Sequence, residues 1–269
     1  MDAEIIHKLR AENLASKFGF IVTSTHRVKN NTRPFGVSFL IYFINMEDKF
    51  KIINDDFRNC DIPKGLVITD PPYNQGYAYN EYKDRMSEED YVELLSKIPK
   101  PCVIIHYPEE TINLLPKAMG VKCEQVVCWV YNSNTGKQSR LISWWGCKPD
   151  FRKVRQPYKN LNDKRIQKRI SEGKLGAKLY DWWEINQVKN VSKEKTEHPC
   201  QIPEELISRI IQTTANEGDI IIDVFGGSGT TSKVALELGY ETISYEVDSF
   251  YCDIMRQRIL LIDNAIYST

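Results

Sequence analysis

Asp219-Ile220-Ile221-Ile222-Asp223-Val224-Phe225, followed by Gly226-Gly227-Ser228-Gly229-Thr230-Thr231, is an apolar, β-branched run that opens onto a glycine turn. A short run of this composition, bounded by a turn, reads as a buried strand. A helix is expected from the turn to about Leu238, and Glu241 to Val247 reads as a second strand. Strand, glycine turn, helix and a second strand ending in an acid form a unit that holds an adenosine cofactor. Gly227 and Gly229 are expected to let backbone approach the ligand, the helix N-terminus to favour a carboxylate or phosphate, and Glu246 to hold ribose hydroxyls. Two commoner ligand motifs do not fit. A P-loop places Gly-Lys-Ser/Thr four residues after its first glycine, and Lys233 comes too late; a dinucleotide fingerprint wants a third glycine where Ser232 stands.

Upstream, Lys49 to Ile53 and Gly65 to Thr69 are short β-rich runs, and the second opens onto Asp70-Pro71-Pro72-Tyr73, whose prolines must end a strand. Ser87-Glu88-Glu89-Asp90 resembles a capping box and starts a helix expected to reach about Ile98. Strands are expected at 102–107 and 125–131, with one helix from Glu109 to Met119 between them. A further helix is expected over Glu204 to Ala215, with Pro203 near its start, and a C-terminal helix from about Phe250. The β, α, β, α order is that of a parallel sheet.

The 269 residues suit one large α/β domain or a core with an insertion. Hydrophobic residues make up 42% and charged residues 27%, which excludes disordered, collagen-like and disulfide-scaffold classes. The longest apolar stretch, Val37 to Ile44, is far shorter than the ~20 residues of a membrane helix. Seven scattered cysteines without a C-x-x-C pair, and an N-terminus without a signal-peptide layout, point to reduced thiols in the cytoplasm. The four histidines have no metal-ligand spacing, so no metal site is expected.

Thirty-six basic and 36 acidic residues cancel, but Lys148 to Lys195 holds 14 Lys and Arg against 6 Asp and Glu. The chain divides into an N-terminal extension (1–45) of unassigned role, with an amphipathic helix expected over 4–18; a first α/β half (46–147); a basic insert (148–195); and a second α/β half (196–269).

Taken together, Asp70-Pro71-Pro72-Tyr73 and Asp223 to Thr231 resemble the signatures of the amino-methyltransferases that use S-adenosylmethionine to methylate an exocyclic nitrogen of a nucleic-acid base. The order of parts, with His198-Pro199-Cys200-Gln201-Ile202-Pro203 after the basic insert and before the glycine turn, is similar to the β-class of DNA methyltransferases. The resemblance covers roughly residues 46–258. It implies a Rossmann-like doubly wound α/β fold with a mostly parallel sheet, in which the basic insert is the target-recognition region. It implies that Asp55 or Asp56 lies near the cofactor adenine. His198, Pro199, Cys200 and Gln201, together with Asp223, Phe225, Gly226, Gly227, Ser228, Gly229, Thr230 and Glu246, would form the rest of the cofactor site, bordered by Asp70. Cys200 and Ile202 replace the threonine and lysine usual in the class.

An aromatic amine is a poor nucleophile because its lone pair is delocalised into the ring. Asp70 and the Pro71 carbonyl can each accept one N–H of that amine and turn the lone pair toward the methyl donor, which is positional and electrostatic catalysis. Tyr73 would stack on a base flipped out of the duplex, and Pro72 would fix the turn. The expected activity is sequence-specific adenine-N6 methylation of double-stranded DNA. Cytosine-N4 methylation, RNA methylation and an inactive DNA-binding relative are the alternatives. A cognate restriction enzyme is a candidate partner, and monomer and homodimer both stay open. Pro199-Cys200-Gln201 also reads like the nucleophile motif of cytosine carbon-5 methyltransferases, but in those enzymes the glycine motif precedes the cysteine.

Within the insert, a helix over 161–174 would set Lys164 with Lys168 and Arg165 with Arg169 on adjacent rows, opposed by Ile166 and Ile170. These four basic residues are the candidate DNA contacts. Trp144, Trp145, Tyr158, Tyr180, Trp182 and Trp183 are interleaved with the basic residues, most of the tryptophans reading as core.

Overall fold

The computed structural model describes residues 49–77, 79, 82, 84–133 and 136–266. The expected N-terminal helix and the run Val37 to Ile44 lie outside the described residues. Eight strands form one sheet in the order β1 (Phe50–Ile53), β10 (Glu241–Tyr245), β9 (Ile220–Asp223), β2 (Leu66–Thr69), β3 (Cys102–His106), β5 (Ser139–Trp145), β4 (Cys123–Val130) and β8 (Trp182–Glu184). The first five are parallel, β5 runs antiparallel to both β3 and β4, and β8 lies parallel to β4. A two-stranded ribbon, β6 (Arg155–Gln156) and β7 (Ala177–Lys178), stands apart.

Period-two alternation sends successive side chains to opposite faces. Leu66, Ile68, Val103, Ile105 and Ile221 face helices α5 (Glu204–Thr214) and α6 (Thr230–Glu237). Val67, Cys102, Ile104 and Ile222 face α1 (Glu88–Ser96) and α3 (Leu115–Met119). Both faces of the central strands are therefore covered, as a doubly wound sheet requires. The Ser87 hydroxyl accepts from the Asp90 N–H and caps α1, and Glu88, Glu89 and Asp90 oppose its dipole.

Two expectations are corrected. The helix expected over 109–119 is two, α2 (Pro108–Asn113) and α3, joined at Leu114, because Pro116 in the first turn of α3 has no N–H to continue the ladder of α2. Strand β5 had no counterpart in the sequence reading. It forms by pairing with β4 and β3, and it buries Trp144 and Trp145 completely. The insert contributes β8 to the sheet edge, with Trp183 buried and Trp182 exposed. Helix α4 (Lys164–Ser171), shorter than the expected 161–174, buries no side chain. The C-terminal helix is α7 (Ser249–Ile266).

Candidate active site

Strands β2 and β9 are neighbours, so the turns that follow them open at the same edge of the sheet. The Thr69 hydroxyl donates to Asp223 Oδ1 at 2.7 Å and ties the two strand ends together. Between them lies a cavity of about 990 Å³, open mouth included. Asp70 and Pro72 line it from one side and Asp223, Phe225, Gly226, Gly227, Ser228 and Thr230 from the other. Asp55, Asp56, His198, Cys200 and Glu246 complete the expected set on its walls. Pro71, Tyr73, Pro199, Gln201 and Gly229 do not line it.

The residues off the wall have other work. Gln201 accepts from the Thr196 N–H and donates to the Glu194 carbonyl, bracing the segment that carries His198 and Cys200. Pro199 is exposed. At Gly229, φ is +75° and an added Cβ would lie 2.3 Å from Met255 Cγ of α7. That glycine is required by its left-handed backbone and by helix packing. At Gly227, with φ +50°, an added Cβ would sit 3.0 Å from His198 Nε2, so the turn and the His198 segment touch there.

Asp70 is pushed up to about 6 by burial, against the pull of the Arg140 guanidinium and the Tyr73 hydroxyl. Tyr73 is buried. Its hydroxyl donates to Asp70 Oδ1, and its ring packs 4.6 Å from His106 and 4.7 Å from Tyr107, centroid to centroid. The turn is held from behind by a directional chain. The Tyr107 N–H donates to His106 Nδ1 at 2.8 Å, which leaves the proton on Nε2 to bond Tyr91 Oη at 2.5 Å, and Tyr91 in turn donates to the Pro72 carbonyl at 2.7 Å. Burial, with Arg140 and Lys137 adding to it, pushes His106 down to about 3 and keeps it neutral. Beyond the turn, the buried Asp84 carboxylate accepts from the N–H groups of Asn74, Gln75 and Tyr77 and fixes the chain that leaves it.

The glycine turn is braced by Arg258 of α7. Its Nη1 donates to the Ser228 carbonyl at 2.8 Å and to Thr230 Oγ1 at 2.9 Å, and its Nη2 pairs with Glu204 Oε1 at 2.7 Å. Glu246 Oε2 accepts from the Gly227 N–H and Oε1 from the Asp248 N–H, so its carboxylate is oriented by the turn it faces. Asp223 is pushed up to about 7 by burial.

The chemistry of the cavity restricts its ligand. Asp55, Asp56, Asp70, Asp223, Glu246 and Asp248 all reach it, and Arg58, the one arginine on its wall, is bonded to Asp56. Asp248 Oδ2 is buried without a hydrogen-bond partner. Such a lining repels polyphosphates and suits an adenosine ligand that carries positive charge, with carboxylates to spare for hydroxyls and amines. The residues present thus fit S-adenosylmethionine, an adenosine whose sulfonium and ammonium outweigh its single carboxylate. Burial and Asp70 push the Cys200 thiol up, which opposes a thiolate role. Among the described residues no group of three His, Cys, Asp or Glu is placed to hold a metal ion.

Lys164, Arg165, Lys168 and Arg169 are exposed on α4, well separated from the cavity in sequence and on its own surface element. Asp163 caps α4 and holds Arg165 through Nη2 at 2.8 Å. Near it, the Lys159 ammonium lies 3.9 Å from the Trp182 ring centroid. Sequence reading missed Arg140, His106, Tyr91, Arg258 and Asp248. Arg140 lies on β5, a strand set by long-range pairing, whereas His106 and Tyr91 lie on elements the sequence indicated and reach the turn only through the hydrogen-bond chain that links them to Pro72. The aspartate, two residues beyond Glu246 at the start of α7, carried the ordinary signal of a helix N-cap acid.

A family model for DNA methylases matches residues 104–257, a span that holds the insert and the glycine turn and begins after Asp70. The type II methyltransferase M.HpaI of Haemophilus parainfluenzae is 28% identical over 217 residues, 72% of this chain and 67% of its own. The DNA adenine methyltransferase YhdJ of Escherichia coli strain K12 is 25% identical over 226 residues, 72% of this chain and 75% of its own. Among solved structures, the cytosine-N4-specific PvuII DNA methyltransferase shares the fold, with a TM-score of 0.58 at 18% identity over 78% of this chain and 86% of that one.

Proposed function

This chain belongs to the family of N6/N4 DNA methylases, and we propose that within it the protein methylates the N6 amine of adenine in a specific sequence of double-stranded DNA. The observation that carries the reading is the meeting of Asp70 and the glycine turn on one acidic cavity, joined through Thr69 and Asp223. Asp70, where serine is commoner among cytosine-N4 enzymes, supports adenine, as does the likeness to an adenine methyltransferase over 226 residues.

S-adenosylmethionine, bound in the cavity, supplies an electrophilic methyl group on a sulfonium. Glu246 and Asp248 would hold its adenosine hydroxyls and amine, with Asp55 or Asp56 near the adenine, and Asp223 would face its positive end. Asp70 accepts one N–H of the target amine and the Pro71 carbonyl the other, so the nitrogen lone pair points into the cavity. The amine needs no deprotonation before transfer; the proton it sheds afterwards passes to Asp70 or to solvent. Tyr73, in contact with Asp70 before the base arrives, gives up that contact and stacks on the flipped base. Exposed Lys164, Arg165, Lys168 and Arg169 meet the phosphates.

Methyl transfer from tritiated S-adenosylmethionine to mixed-sequence duplex DNA, followed by nucleoside analysis, tests the reading. N6-methyladenine is expected. N4-methylcytosine would move the substrate to the runner-up, label in RNA alone would exclude DNA, and no label in either would make the chain a binding relative.

A further inference from the structure

Arg140 stands at the start of β5, paired with Trp129 across β4 and one residue beyond the pairing of His106 with Leu141. Because β5 is antiparallel to β3, its first residues lie at the end of the sheet where β2 delivers Asp70. The Arg140 side chain is 8% exposed. Its guanidinium carbon lies 5.0 Å from the ring centroid of Tyr73, 5.3 Å from Trp129 and 5.5 Å from Tyr107. Among the described residues it forms no ion pair with a carboxylate, and its Nε is buried without a hydrogen-bond partner. A buried cation with an unsatisfied donor is costly, and such groups persist where a ligand completes them.

Tyr73 stands between this cation and the catalytic carboxylate. Its hydroxyl is on Asp70 and its ring is on Arg140. A base that binds its amine to Asp70 displaces that hydroxyl, and the departure of the ring uncovers the guanidinium. We infer that Arg140 is a binding residue of the target-base pocket, donating from its guanidinium to the ring nitrogen beside the exocyclic amine, N1 of adenine, while Asp70 accepts from the amine itself. The inference rests on the reading of Asp70 as amine acceptor. The pair presents an acceptor and a donor side by side, the complement of an amino-imine edge. Guanine, hypoxanthine and thymine carry an N–H at the corresponding ring position and would set donor against donor. A phosphate does not suit this place: the guanidinium is enclosed by aromatic faces, and the Asp70 carboxylate beside it repels an anion.

The test uses the full chain and a duplex carrying its recognised sequence, with the target adenine replaced by 1-deazaadenine, which keeps the amine and lacks the N1 acceptor, or by 7-deazaadenine as control. For the wild type, kcat/KM is expected to fall roughly tenfold to a hundredfold on 1-deazaadenine, the range for a lost hydrogen bond to a charged donor, and to change little on 7-deazaadenine. Arg140→Met should lower kcat/KM on adenine and lower the ratio of adenine to 1-deazaadenine roughly tenfold or more below its wild-type value. The altered electronics of the analogue act equally on both proteins, so the change in ratio isolates the contact. Equal ratios in the wild type and the variant would overturn the inference. Arg140→Gln gives a second ratio should the methionine variant not fold, with S-adenosylhomocysteine affinity by calorimetry as the check of an intact cavity. Failure of the underlying reading looks different: Asp70→Ala would keep its transfer rate. If the methyl group is found on cytosine, 3-deazacytosine takes the place of 1-deazaadenine and the same comparison of ratios decides.

Discussion

Thr69 Oγ1 donates a 2.7 Å hydrogen bond to Asp223 Oδ1, joining two strand ends that lie 154 residues apart in sequence. The acceptor is a buried carboxyl pushed up from 3.8 to about 7, chiefly by burial. A raised pKa means that the folded chain binds this proton more tightly than the unfolded chain. The stability it contributes is fully present below about pH 4 and is lost as pH rises through about 7. Asp223→Asn removes the charge and keeps an acceptor for Thr69. The variant should therefore be more stable than the wild type at pH 8, by at most about 4 kcal/mol for roughly three pKa units, with the gap closing toward pH 4. Urea denaturation at pH 4, 6 and 8 measures it, and a gap independent of pH would show that Asp223 is not the titrating group.

Asp70 accepts from an amine most strongly when ionised, because a charge-assisted hydrogen bond is roughly twice as strong as a neutral one, and burial holds it near 6. Methyl transfer should therefore lose activity as pH falls through about 6, with a single acid limb in kcat. Asp70→Ala should lower kcat at least a hundredfold while leaving S-adenosylhomocysteine affinity within about tenfold, because the lost acceptor is needed as the methyl group moves.

Arg258 sets the shape of the Ser228 to Thr230 turn through three bonds from one nitrogen, to the Ser228 carbonyl and hydroxyl and to Thr230 Oγ1. Arg258→Met should weaken S-adenosylhomocysteine roughly tenfold or more in calorimetry. Glu246→Ala should do the same through the ligand's ribose, with kcat at saturating cofactor much less affected. Unchanged affinity in Glu246→Ala would count against the adenosine site.

Tyr91→Phe tests the chain that holds the Asp-Pro-Pro-Tyr turn. It removes the donor to the Pro72 carbonyl and leaves His106 Nε2–H without its partner. Two buried groups left unsatisfied should cost on the order of 2 kcal/mol of stability, and kcat should drop severalfold with cofactor affinity preserved.

Exchange of Lys164, Arg165, Lys168 and Arg169 for glutamine should lower DNA affinity and reduce the salt slope by about one log unit per lost phosphate contact. Because α4 buries no side chain, the fold should tolerate all four changes. An unchanged slope would return this helix to an ordinary solvated surface.

The strands of the parallel half were legible because their apolar runs are short, β-branched and bounded by turns, as Gly65 to Thr69 and Ile220 to Asp223 show. The meeting of Asp70 with Asp223 was implied by family resemblance rather than by either motif alone, since nothing local pairs β2 with β9. Strand β5 escaped because Ser139-Arg140-Leu141 carries neither alternation nor a turn signal; its state is set by β3 and β4 on either side. The structural contacts of Gly229 and Glu246 were hidden from the sequence for a related reason. A glycine required by Met255 and a carboxylate held by the backbone N–H groups of Gly227 and Asp248 depend on elements folded back from elsewhere.

The neighbouring strands β2 and β9 also set a timetable. At about 5 to 20 residues per second on the ribosome, the segment that pairs with Leu66 and Val67 is made roughly 8 to 30 seconds after them. For that interval one edge of a strand destined to be wholly buried has no partner, an invitation to association with other chains. Newly made protein should therefore be most prone to aggregate before its last 50 residues emerge, and truncations that end before Ile220 should be insoluble even though they contain the whole Asp-Pro-Pro-Tyr turn.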